Sequence, residues 1–133
     1  MDLAQRYSET ELSGLSQSEL ETRALIRTAA ALNMVKENWE SKKDELPQAL
    51  EKNRRLWTII ASAMHEPDCP QPEEVKRNII NLSYFIFKKT NSIMADTEPT
   101  PESLNILIDI NMNIARGLSE HREPEAEIQP LYI

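Results

Sequence analysis

Apolar residues recur every three or four positions in four stretches of the chain, and polar or proline-rich stretches separate them. This spacing places the apolar side chains on one side of a helix, so it predicts amphipathic helices rather than strands. We predict helices over about residues 16–40, 44–64, 72–95 and 100–118.

Prolines set most of the predicted boundaries. Pro47 is tolerated only in the first turn of a helix, so the second helix must begin close before it. Three prolines within residues 67–72 end that helix and lead into the third. Thr100, Pro101 and an acid form a typical helix start for the fourth, and Gly117 suits its end.

The third predicted helix is apolar on two sides. The first side carries Val75, Ile79, Leu82, Ile86 and Ile93. The second side carries Ile80, Tyr84, Phe87 and Met94. A helix of this kind is usually central in a domain or keeps one side for a partner. We expect the first side to pack inside the protein, and the second to form either a further internal contact or the partner surface.

These elements predict an all-α fold, a compact antiparallel bundle of about four helices. The composition agrees, because only two glycines occur in 133 residues and good helix formers are plentiful. The length suits a single domain over residues 1–133. Its core is predicted at about 16–118, with flexible arms at 1–15 and 119–133. Four apolar residues in the first arm could dock on the body: Leu3, Tyr7, Leu12 and Leu15.

Charge and cysteine content narrow the partners and the compartment. The net charge of −7 disfavours direct nucleic-acid binding, which requires a basic surface. The single Cys69 fits a reducing compartment. Charged residues interrupt every apolar run near the N-terminus, and no run is long enough to span a bilayer. We therefore expect a cytoplasmic protein without membrane contact.

No combination of residues predicts catalysis or a cofactor. His65 and His121 lie in different elements, and Cys69 has no basic neighbour to activate it. The acidic and amide residues from Asp109 to Glu120 imitate a calcium loop, but Ile114 stands where such a loop requires glycine. We expect no enzymatic activity, no cofactor and no bound metal.

Asparagines on the predicted apolar stripes are the most informative polar residues. Burying an unpaired amide costs free energy, so Asn53, Asn78 and Asn111 either hydrogen-bond between helices or meet a partner. Large aromatic side chains can anchor a partner in a groove or fill the core. The candidate partner-binding residues are Asn53, Trp57, Asn78, Tyr84, Phe87 and Asn111.

Three segments carry a resemblance to a known family. They are residues 53–58 (NRRLWT), 76–83 (KRNIINLS) and 109–118 (DINMNIARGL). Together with residues 19–21 and 28–32 of the first helix, they resemble the FlaF family of flagellar biosynthesis regulators in alphaproteobacteria. The resemblance covers about residues 16–118 and leaves both arms outside.

The resemblance implies a small cytoplasmic helical protein that promotes flagellin synthesis and secretion, acting with or against the regulator FlbT. Direct binding of flagellin before export is the mechanism that it suggests. Two alternatives stay open. One is a regulator of flagellin mRNA translation, which the acidic charge disfavours. The other is a homodimeric helical adaptor, in which the second side of the third helix meets its own copy; the protein is otherwise a monomer.

Overall fold

The computed structural model describes the backbone of residues 17–131 and the side chains of residues 18–120. Every regular element within these residues is helical. Four long helices, here α1 to α4, span Gln17–Glu37, Leu46–His65, Glu73–Ala95 and Asn105–Leu131. The predicted all-α bundle is thus confirmed, while the arm predicted at 1–15 lies outside the described residues.

The boundaries follow from the proline positions. A short helix, Trp39–Lys42, and a 3₁₀ turn, Lys43–Glu45, join α1 to α2, and Pro47 lies in the first turn of α2 as predicted. Helix α2 ends where Glu66 takes an extended conformation just before Pro67. Another 3₁₀ turn, Pro101–Leu104, leads into α4 and begins after an extended Thr100.

Helix α4 continues beyond the end that the sequence predicts. Gly117 does not adopt a positive φ, so it lies inside the helix instead of terminating it. The backbone stays helical to Leu131, through part of the predicted C-terminal arm at 119–133. A glycine ends a helix only when the chain uses its left-handed conformation, and the backbone does not do so here.

One apolar core forms where α1, α2 and α4 meet, and it includes part of α3. Helix α1 packs against α4 and α2, so it lies at the centre of the arrangement. The predicted stripe of α2 is fully confirmed, because Leu46, Leu50, Trp57, Ile60 and Met64 are all buried. The buried apolar residues of the other helices are Leu25, Ala29, Leu32 and Val35 of α1, Ile86 and Ile93 of α3, and Leu107 and Ala115 of α4.

Helix α3 is peripheral, although its two apolar sides suggested a central position. It packs along α2 and makes only sparse contacts with α1 and α4. A helix with one extensive neighbour cannot bury two sides, which explains the apolar surface that remains on it. Within the described residues, no helix is both long and apolar enough to cross a lipid bilayer.

Candidate functional site

A layer of polar side chains crosses the middle of the bundle and joins three helices. Trp57 Nε1 of α2 donates a 2.9 Å hydrogen bond to Asn111 Oδ1 of α4. Asn111 Nδ2 donates to Asn53 Oδ1 of α2 and to Thr28 Oγ1 of α1, each at 2.7 Å. Asn53, Trp57 and Asn111 are completely buried. We call these four residues the polar layer.

Asn111 is the centre of the polar layer, because its carbonyl oxygen and its amino group are both engaged. The Thr28 hydroxyl in turn lies 3.1 Å from the carbonyl oxygens of Ala24 and Leu25, to which it can donate its own proton. Sliding one helix past another by a turn would leave these buried groups unpaired, at a cost of about 1–3 kcal/mol for each. The polar layer therefore fixes the register of α1, α2 and α4.

Two buried polar atoms have no hydrogen-bond partner among the described residues. They are Asn53 Nδ2 in the polar layer and Thr90 Oγ1 in α3. Thr90 is fully buried, so its hydroxyl is removed from water without compensation. The interface around α3 is thus less well satisfied than the polar layer around Asn111.

The structure places half of the predicted partner-binding residues where a partner cannot reach them. Asn53, Trp57 and Asn111 have no exposed surface. They take the alternative role that the sequence left open, interhelical hydrogen bonding that fixes register. Their assignment as partner contacts is corrected accordingly, because a partner would have to separate α2 from α4 to touch them.

The other three predicted residues lie together on α3. Asn78 is exposed, and 55 % of Tyr84 is accessible to solvent. Phe87 is half-buried and packs against the edge of the core. A partner can therefore reach Asn78 and Tyr84 directly, whereas Phe87 offers only part of its ring.

The two halves of α3 differ in how well they are covered. In the second half, Ile86 and Ile93 are buried in the core. In the first half, between residues 75 and 85, no apolar side chain is buried. We call residues 75–85 the open half of α3. Its apolar side chains are those of Val75, Ile79, Ile80, Leu82, Tyr84 and Phe85. The prediction that the first apolar side packs inside is thus confirmed for the second half of the helix alone.

The open half of α3 begins beside a depression at the corner between α2 and α3. This depression has a volume of about 480 Å³. It is lined by Met64, His65, Glu66, Pro67, Glu73, Lys76, Arg77 and Ile80. Lys76 Nζ lies 3.3 Å from Glu73 Oε1, so part of the local charge is paired. The surface combines apolar side chains with basic ones, which suits an acidic amphipathic partner better than a small apolar ligand.

Sequence patterns missed Thr28, Val75 and Phe85 as functional candidates. Thr28 lies next to Ala29 on the buried side of α1, so it looked like an ordinary helix position. Val75 belongs to the stripe that was expected inside, yet it is 37 % exposed. Phe85 lies on neither stripe and is 43 % exposed. The pair of adjacent aromatics at 84 and 85 was the available signal, since one helix side cannot bury both.

The main electrostatic feature lies away from the open half of α3. Arg54 donates hydrogen bonds to both carboxylate oxygens of Glu51, and Arg55 Nε approaches Oε1 at 3.4 Å. The Arg54 hydrogen bonds, followed by its positive charge, hold the pKa of Glu51 below its ordinary value. These residues form a solvated ion pair along α2 and offer no arrangement for acid–base chemistry.

The described residues provide no metal site. No group of three or more histidine, cysteine or carboxylate side chains comes together within them. Cys69 is unpaired and partly exposed in the connection between α2 and α3. The polar layer is fully enclosed, and the open half of α3 is mainly apolar. Binding of a macromolecule is therefore the activity that the geometry supports best.

Comparison with known proteins gives one match. A family model described as flagellar protein FlaF matches residues 3–118. No curated protein and no solved structure matches the chain. The match begins at residue 3, so most of the N-terminal segment belongs to the family pattern, although the resemblance noted above began near residue 16. Because the match covers most of the sequence, the chain belongs to the FlaF family of flagellar proteins.

Proposed function

We propose that this protein binds flagellin in the cytoplasm before export and so promotes flagellin synthesis and secretion, without enzymatic activity. The observation that carries the proposal is the open half of α3, where the protein leaves a helix apolar and uncovered. The family match supports a flagellar role and is silent on the partner.

Flagellin is a suitable partner on physical grounds. Its ends are amphipathic helices that lack their polymer neighbours before assembly. Such a helix can lay its apolar side against a groove or an uncovered helix of a carrier. Tyr84 and Phe85 are the natural anchors, since exposed aromatic side chains dominate binding energy at many interfaces. Val75 and Ile80 would extend the contact toward the start of α3.

Co-elution with monomeric flagellin in size-exclusion chromatography at micromolar concentrations tests the proposal. The unmodified protein should form a complex. The double variant Tyr84→Ser, Phe85→Ser should weaken it by about thirtyfold, the effect of losing two anchors. Met34→Ser is the matched control, because Met34 is 53 % exposed on α1, which has only sparse contact with α3. Absence of any complex with the unmodified protein would refute the proposal.

A homodimer is the second candidate, because the same open half of α3 could be covered by its own copy. Light scattering separates the two candidates. A monomer at micromolar concentration removes the homodimer, whereas a stable dimer that ignores flagellin would replace the first proposal. A companion regulator of the FlbT type would then be tested in the same assay.

A further inference from the structure

The open half of α3 raises the question of what covers it in the free protein. Six apolar side chains there are exposed or half-buried, and none of the described helices closes over them. Contiguous apolar surface of this kind is normally covered by a partner or by another part of the chain. The N-terminal segment, residues 3–15, is the part of this chain whose position the described residues leave open.

The polar layer shows at which end of the molecule this segment joins the bundle. Thr28 of α1 and Trp57 of α2 both hydrogen-bond to Asn111, so they lie at the same level. Helix α1 starts at Gln17, about three turns before Thr28, and α2 ends at His65, about two turns after Trp57. Because α1 and α2 run in opposite directions, Gln17 and His65 lie at the same end.

Helix α3 begins at that same end. Glu73 follows His65 after a short connection, and the open half of α3 is its first half. The chain that precedes Gln17 therefore emerges near the open half and far from the well-buried second half. Residues 75–85 extend along about 15 Å of helix, and thirteen residues reach about 20 Å even in the most compact regular form. The N-terminal segment is long enough to cover the open half.

The chemistry of the two surfaces is complementary. The segment carries four spaced apolar residues, Leu3, Tyr7, Leu12 and Leu15. Its charged residues are Asp2, Glu9 and Glu11 against the single Arg6, so it is acidic. The open half of α3 carries Lys76 and Arg77, and His65 lines the adjoining depression. The family pattern also includes this segment from residue 3 onward, together with the helices.

We propose that residues 3–15 pack on the open half of α3 in the free protein and leave it when a partner helix binds. The apolar residues of the segment cover Tyr84 and Phe85, and its acidic residues lie toward Lys76 and Arg77. The competition with a partner rests on the proposed function, whereas the packing of the segment on α3 does not.

Hydrogen exchange on the full-length protein tests the packing. The variant Leu3→Ser, Tyr7→Ser, Leu12→Ser removes the apolar contacts of the segment and changes no described residue. Amides of residues 75–85 should then exchange about tenfold faster, because local opening of α3 becomes easier. Exchange in α1 and α4 should stay unchanged. The matched control Gln5→Ala, Ser8→Ala, Ser13→Ala alters only polar residues and should leave α3 protected.

Two results would overturn the proposal. Equal exchange of residues 75–85 in the apolar variant and the unmodified protein would show that the segment does not cover them. Protection that depends on protein concentration would assign the covering role to a second copy. Loss of flagellin binding in the co-elution assay would end the proposed function and leave the exchange result intact. If both hold, the apolar variant should bind flagellin about tenfold more tightly, because the intramolecular competitor is gone.

Discussion

The polar layer and the open half of α3 use their residue types in the reverse of the usual places. The polar layer buries asparagine and tryptophan in the centre of the bundle, and it pairs most of their polar atoms. The open half of α3 leaves valine, tyrosine and phenylalanine in contact with solvent. The first arrangement specifies one packing of three helices, whereas the second keeps an apolar surface available. Structural specificity and binding thus belong to different helices.

Within α3 the same contrast appears over a few turns. Ile86 and Ile93 are buried against the core, while Val75 and Tyr84 are exposed on the same helix. The second half anchors α3 to the bundle, and the first half has few contacts that its loss would disturb. Substitutions in the two halves should therefore have very different effects on stability and on binding.

The largest effect is expected from Asn111→Leu, which breaks the polar layer at its centre. Trp57, Thr28 and Asn53 would lose their partner inside the bundle, and the free energy of unfolding should fall by about 4 kcal/mol. Urea unfolding measures this loss. Asn113→Leu on the exposed side of α4 is the control and should change stability little. Equal losses in both variants would deny the layer its structural role.

A pair of truncations then compares the two halves of α3. Ile86→Ala should lower the free energy of unfolding by about 3 kcal/mol, because it leaves a cavity in the core. Val75→Ala should change it by less than about 0.5 kcal/mol, since Val75 is exposed. The same urea titration measures both. If the two losses were similar, the open half would be as tightly packed as the rest of the helix.

A smaller and opposite effect is expected at Thr90. Its hydroxyl is buried without a partner, so Thr90→Val keeps the shape and removes the uncompensated group. The protein should become about 1 kcal/mol more stable, as judged by the urea midpoint. Thr58→Val is the control, because the exposed Thr58 hydroxyl donates to the carbonyl oxygen of Arg54. Destabilisation by Thr90→Val would show that its hydroxyl is satisfied.

The smallest effect concerns the ion pair between Glu51 and Arg54. Because Arg54 depresses the pKa of Glu51, the pair stabilises the folded state above the pKa that Glu51 has when unfolded. That contribution is lost as the pH falls through the folded pKa. Glu51→Gln should lower stability slightly at neutral pH and hardly at acidic pH, with less difference in high salt. Glu40→Gln, at the exposed Glu40–Lys43 pair, provides the comparison in urea titrations. A pH-independent difference would exclude this origin.

The sequence was sufficient to locate the helices and most of the core. Proline positions and the three-to-four spacing are local properties, so the starts of α2 and α3 and the buried stripe of α2 followed from them directly. The end of α4 did not follow. Gly117 permits a helix to end and does not require it, and the backbone continues to Leu131.

The candidate site followed only in part. The spacing of Asn53, Trp57 and Asn111 showed that polar or aromatic groups lie on apolar stripes, and two uses were compatible with that. Only the packing of α2 against α4 placed Trp57 Nε1 within 2.9 Å of Asn111 Oδ1 and removed these groups from solvent. Exposure of Phe85 had no periodic signal, because it depends on how few neighbours α3 has.

By itself, then, the sequence determined the number of helices, their approximate boundaries and the presence of surplus apolar side chains on the third. These features depend on backbone propensity and on periodicity along one helix. The tertiary structure decided which polar groups pair across helices and which half of α3 stays uncovered. Those outcomes depend on the neighbours that each helix acquires, and contacts between residues distant in the chain have no periodic signature within any one helix.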